Sequence, residues 1–294
     1  MLKVSFAPEA RLSAGFLAFC LVVAAVATQA QNSQASPSAS EHPAPQAATK
    51  PNPDHELLAK ASSLYYSTAR AGLNSFSCEV HPDWRGIILS TQAGSAVAAD
   101  DPRVVLLKSV KITLHGNPKG GSTIDWNPAP NPEKPLDEDS TKMLNAMRDG
   151  TNQILKGFLQ AWAPFVDGSV IPADSEGLEI AHTEKGHTIH GDVSGTSFTE
   201  LLDDSLILQY FDVVSGGAIV NFVPTYKPSE KGLLISSFHA HIQPPGVQPD
   251  QAQEMNVEID YQTLHGFPIP AKILVAIANT GTFNFTFDGC TVNQ

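Results

Sequence analysis

Apolar and polar residues alternate through much of the second half of the chain. Met255, Val257, Ile259 and Tyr261 interleave with Glu254, Asn256, Glu258, Asp260 and Gln262, so a strand over 254–262 buries one face and wets the other. Phe283, Phe285 and Phe287 alternate with Thr282, Asn284, Thr286 and Asp288 near the C-terminus, and Val110, Ile112 and Leu114 alternate with Lys111 and Thr113 earlier. Segments 122–127, 178–183, 187–193, 205–213, 217–224, 232–243 and 270–279 read as further strands. Turn-rich pieces such as Asn117-Pro118-Lys119-Gly120-Gly121 and Ser215-Gly216-Gly217 separate them. Such short connections leave no room for crossover helices, which implies an antiparallel meander.

Two segments carry a helical period instead. Asn52-Pro53-Asp54 supplies a cap, a first-turn proline and an acid, and Leu57, Ala61, Leu64, Tyr65, Thr68 and Gly72 follow at helical spacing, predicting a helix over 54–73. Beyond a proline-rich stretch from Asn127 to Pro135, Asp137, Glu138 and Asp139 open a second helix that Pro164 closes. Met143, Met147, Ile154, Phe158, Trp162 and Phe165 line one side of it, widened by Leu144, Leu155 and Leu159. The predicted fold is therefore mainly β (α+β): a curved antiparallel sheet or half-open β-barrel packed on an N-terminal helix and one long inserted helix. Residues 54–294 form one domain. The long helix reads either as a core element or as a lid whose thioethers and rings adapt to a bound acyl chain.

The first thirty residues address the chain. Lys3 and Arg11 precede an uncharged run from Ala14 to Ala27, followed by Thr28-Gln29-Ala30 or Ala25-Val26-Ala27 as a cleavage site, which is the pattern of an export signal. The run falls short of the roughly 20 residues a spanning helix needs, and no later segment approaches that length, so the expected product is periplasmic or secreted, without a transmembrane segment. Cys20 raises a lipoprotein alternative, which Phe19 before it disfavours. From Gln31 to Pro53 the chain is almost all Ser, Ala, Gln and Pro and reads as a disordered tether. The formal net charge is −12; loss of Lys3, Arg11 and Glu9 with the signal takes it to −13. That surface makes nucleic acid a poor partner, whereas burial of an acyl chain depends on apolar area and is indifferent to it.

Candidate chemistry is sparse. Cys78 and Cys290 are expected to pair in an oxidising compartment, two buried thiols being the alternative. His182, His187, His190, His239 and His241 cluster in sequence. Zinc needs three or four converging ligands, and no cysteine or carboxylate spacing completes a metal motif, so the expectation is no metal and no cofactor. No Gly-x-Ser-x-Gly elbow is present, and Ser194-Gly195-Thr196-Ser197 lacks the strand-turn-helix setting of one. Gly116 to Thr123 reads as a hairpin rather than a phosphate loop, because Lys119 precedes its last two glycines. Asp203-Asp204 and Asp100-Asp101 fit turns.

From Gly232 to Asn293 the pattern resembles the closing half of LolA-like periplasmic lipoprotein and lipid carriers. The residues that carry the likeness are Gly232-Leu233-Leu234, Val257-Glu258-Ile259-Asp260-Tyr261, His265-Gly266-Phe267-Pro268-Ile269-Pro270-Ala271-Lys272-Ile273, and Val292-Asn293. The resemblance implies a half-open barrel and a non-enzymatic periplasmic carrier of a lipid or lipoprotein acyl chain, with an envelope protein complex as a further partner. The expected lining of its concave face is Met143, Met147, Phe158 and Trp162 from the long helix, with Val257, Tyr261, Phe283 and Phe285 from strands. The chain departs from that family in its proline-rich insert and long helix, and no arginine in it aligns with one that would latch a lid. Two other classes stay open: an exported interaction domain with a packed core, and a hydrolase or metalloprotein built on the histidines.

Overall fold

The computed structural model describes residues 52–91, 97–117, 121–127, 137–166, 169–193 and 195–294; the expected export signal and nearly all of the expected tether lie outside them. Twelve strands form one antiparallel sheet: β1 (Ser75–Pro82), β2 (Lys111–Asn117), β3 (Gly121–Asn127), β4 (Leu178–Thr183), β5 (Gly186–Val193), β6 (Thr196–Leu202), β7 (Leu208–Ser215), β8 (Ala218–Ser229), β9 (Gly232–Gln243), β10 (Gln253–Leu264), β11 (Phe267–Ile277) and β12 (Gly281–Asn293). Their spatial order is β3-β2-β1-β12-β11-β10-β9-β8-β7-β6-β5-β4, an open, curved meander with β1 docked against β12. The helices are α1 (Pro53–Ser63), α2 (Thr68–Ala71), α3 (Trp84–Thr91), α4 (Pro102–Lys108) and α5 (Glu138–Val166).

The expected helix over 54–73 is two helices with a strand-like link. Asn52 caps α1 by accepting the amide of Asp54 at 3.1 Å. The helix then yields to the sheet: the Tyr66 amide donates to Leu233 O at 2.8 Å, and the Leu233 amide donates to Leu64 O at 2.7 Å. Gly232 makes this approach feasible, because a Cβ there would lie 2.8 Å from Leu64 O on a backbone already at φ +121°. The hairpin that follows β10 is also tighter than expected. Strand pairing continues to Leu264 opposite Phe267, with only His265 and Gly266 between them, both at positive φ. β7 begins at Leu208 rather than 205, because Asp203 and Leu206, the latter at φ 65°, form a turn ahead of it. β1 and β6 and the helices α3 and α4 were not expected from the pattern.

Every strand from β6 to β12 sends its alternate side chains to one inner face, where residues such as Phe211, Phe222, Phe238, Val257, Ile273 and Phe285 are buried. α5 crosses this face. Its N-terminal half is largely exposed, while Thr151, Ile154, Leu155, Phe158, Leu159, Trp162, Phe165 and Val166 are buried. Pro164 sits in its last turn, and the helix ends two residues later. α3 and α4 link β1 to β2 and bury Trp84, Ile87, Ile88, Val104 and Leu107.

Cys78 on β1 and Cys290 on β12 are bonded, with Cα atoms 4.1 Å apart across 212 residues of sequence. On the chain-entropy model a loop of that length restricts the unfolded chain by about 5 kcal/mol. Reduction, or replacement of both cysteines by alanine, is therefore expected to lower the denaturant midpoint; an unchanged midpoint, with both thiols alkylated before reduction, would contradict the bond. Gly150 lies in the exposed half of α5, and a Cβ there would meet nothing within 4 Å. Gly150→Ala is expected to raise stability by up to about 1 kcal/mol in equilibrium unfolding, through helix propensity alone.

Candidate functional site

The inner face is apolar over most of its width, and the residues expected to line it are placed in two groups. Phe158, Trp162, Val257, Phe283 and Phe285 are fully buried in the shared core. Met143, Met147 and Tyr261 are half-buried, Met147 and Tyr261 packing against that core. Trp162 joins the helix to β1 and β10. Its ring meets Phe76 of β1 edge-on at 6.2 Å and stacks on Phe158 at 6.1 Å, and its Nε1 donates to the Tyr261 hydroxyl at 2.9 Å. Tyr261 in turn donates to Ile235 O at 2.8 Å. Farther along α5, Phe165 stacks on Phe222 of β8 at 5.0 Å; toward the other end, Trp126 Nε1 of β3 donates to Asn152 Oδ1 at 2.7 Å. The helix is thus fastened by aromatic packing and by hydrogen bonds at two indoles.

One carboxyl interrupts the apolar face. Strand register carries a single row through Ile180, Ile189, Glu200, Phe211, Phe222, Ala240, Met255 and Ile277, from β4 to β11. Glu200 is 1 % exposed, and its Oε2 has no hydrogen-bond partner among the described residues. Burial drives its pKa well above the ordinary carboxylate range, so the neutral acid is favoured. Tyr65 and Tyr226 accompany it: their rings meet edge-on at 5.1 Å, and burial raises both phenols, that of Tyr65 to about 12. The Tyr65 hydroxyl accepts the Leu208 amide at 2.6 Å, which ties the link after α1 to the turn before β7. Leu206, in that turn, is a buried γ-branched residue at positive φ, a conformation costing about 1 kcal/mol or more. Sequence reasoning missed this cluster. Thr196, Phe198, Glu200 and Leu202 do recur with period two, which places Glu200 on the inward face once β6 is recognised.

The histidines occupy separate places. His182 and His187 face each other across the β4–β5 hairpin with rings 4.7 Å apart. His190 Nδ1 lies 3.1 Å from Thr199 Oγ1. His239 and His241 share Glu254, at 3.0 and 2.6 Å, on the outer face of β9 and β10. Among the described residues no group of three His, Cys, Asp or Glu side chains is arranged to hold a metal ion. An open depression of about 410 Å³ lies beside the β11–β12 turn, lined by Asn256 and residues 276–282; it is remote from the row of Glu200 except at Ile277.

No family model, curated protein or solved structure matches the chain. No helix among the described residues is long and apolar enough to cross a membrane.

Because the folded state holds the Glu200 proton more tightly than the unfolded chain, with its ordinary value near 4.5, the stability it lends is complete below that pH and is lost as pH rises toward the raised value. Glu200→Gln cannot ionise. Its melting temperature is expected to match the parent near pH 4 and to exceed it increasingly between pH 5 and 8, read by thermal scans across pH. A constant difference over that range would contradict a buried neutral acid.

Proposed function

We propose that the protein is a non-enzymatic carrier or binder of a lipid or lipoprotein acyl chain, exported to the periplasm or beyond, with the inner face of the sheet as its site and α5 as the displaceable cover. The observation that carries this reading is an apolar face spanning most of an open sheet and covered by a helix that packing, rather than a continuous chain of polar contacts, holds in place. The export pattern of residues 1–30 and the likeness of residues 232–293 to LolA-like carriers agree with it, and an envelope protein complex is the corresponding donor or acceptor.

The energetics allow an exchange of helix for ligand. Ile154, Leu155, Phe158, Leu159, Trp162 and Phe165 stabilise the closed form by roughly 1.5–3 kcal/mol each, ~9–18 kcal/mol together, whereas each hydrogen bond contributes about 1 kcal/mol net. An acyl chain burying about fifteen methylenes at ~0.8 kcal/mol each returns a similar amount. Half-exposed Met143 and Met147 then provide adaptable side chains at the rim. The competing reading, an interaction domain with a permanently packed core, draws on the same burial of Phe158 and Trp162.

Binding of a fluorescent fatty acid to the mature protein, compared with Phe158→Asp, separates the two. Phe158 is 2 % exposed, so the substituted carboxylate is incompatible with the closed position of the helix. The carrier reading predicts that the parent binds the probe and that the variant, whose closed form is disfavoured, keeps a cooperatively folded sheet and binds the probe at least tenfold more tightly. Global unfolding of the variant together with no probe binding by the parent would leave the packed domain.

A further inference from the structure

We propose that Glu200, with Tyr65 and Tyr226, forms the anchor for the ligand's polar head, and that the head is an uncharged hydrogen-bonding group such as an ester or alcohol. This deepens the acyl-chain reading and rests on it. Glu200 is the one polar residue in a cross-strand row whose other members are Ile180, Ile189, Phe211, Phe222, Ala240, Met255 and Ile277. A buried acceptor left without a partner is destabilising, and sites that break a local rule in this way concentrate where a protein functions. The free Oε2 supplies an unmet hydrogen bond inside an apolar wall.

The surroundings favour a neutral head. Desolvation is the cause that raises the Glu200 pKa, and no cation among the described residues offsets it. The carboxyl therefore acts as a protonated acid able both to donate and to accept. A charged head would have to be desolvated at a cost of several kcal/mol, in a region where the Tyr65 and Tyr226 rings pack edge-on.

The position agrees with the path of the cover. The buried half of α5, Thr151–Val166, is about 24 Å long at 1.5 Å per residue, enough for a long acyl chain. Its C-terminal end delivers Phe165 onto Phe222, two strands from Glu200 in the same row, with the Tyr226 ring 6.5 Å away. A chain that took the place of this half would bring its head to the strained turn at Leu206, which Tyr65 pins through Leu208.

The test is displacement of a fluorescent fatty acid from the full mature protein by dodecyl acetate, dodecanol, dodecylamine and dodecane. The parent should bind the ester and the alcohol about tenfold more tightly than the hydrocarbon, the size of one net hydrogen bond. Glu200→Gln should keep that preference, and Glu200→Leu should erase it while melting at or above the parent temperature. A preference that survives in Glu200→Leu, or is lost in Glu200→Gln, overturns the anchor while leaving the carrier reading intact. A dodecylamine preference that Glu200→Gln abolishes overturns it in favour of an ionised carboxylate binding a cation. Failure of the parent to bind any acyl probe removes both proposals.

Discussion

The stacking of α5 on the sheet is the contact on which the rest of the structure depends. Twelve antiparallel strands turn alternate side chains to one face, and such a face has to be covered in water. Phe158, Trp162 and Phe165 provide the cover, reaching Phe76 on β1, Tyr261 on β10 and Phe222 on β8. The energy involved is mostly non-directional. On the proposed carrier reading, that lets another apolar body of similar area take the place of the helix on the same surface.

Against this background the departure at Glu200 is informative. Apolar residues occupy the row on both sides of it, and the neighbouring turn holds Leu206 in a left-handed conformation beneath Tyr65. Two unfavourable features side by side need a structure that over-determines them, and the bridge from Leu64–Tyr66 to Leu233 supplies it. The outer face has a different logic. A polar row runs from Glu179 through His190, Thr199, Asp212, Asn221 and His241 to Glu254, with Asn221 and Tyr210 both bonded to Asp212. Of the histidines read as a cluster in sequence, His190, His239 and His241 belong to this solvated face, whereas His182 and His187 share the strand parity of Ile180 and Ile189.

Strict alternation over 254–262 and 282–288 made β10 and β12 legible, because no side chain in those stretches contradicts its face. β6 was hidden by Glu200 itself, which turns an inward apolar position polar and breaks the pattern on which a strand is recognised. The helix over 54–73 failed for a tertiary reason: Leu64 and Tyr65 sit at helical spacing, but Leu64 O and the Tyr66 amide pair with Leu233 of β9, a partner far away in sequence. The side chains proposed as lining were legible from the stripe on α5 and the phenylalanines of β12. Their burial against one another was not, since periodicity marks which face is apolar and says nothing of what fills it. The polar cluster was least accessible, for it is assembled from the link after α1, β6 and β8, three segments without a shared local signal.

Hydrogen exchange of the protein tests the central claim most directly. If α5 is a displaceable cover, the amides of Thr151–Val166 exchange through a local opening whose free energy lies well below that of β9–β12, and an acyl ligand changes exchange in that segment selectively. Exchange of those amides only through global unfolding, with the same free energy as β9–β12 and no response to ligand, would contradict it.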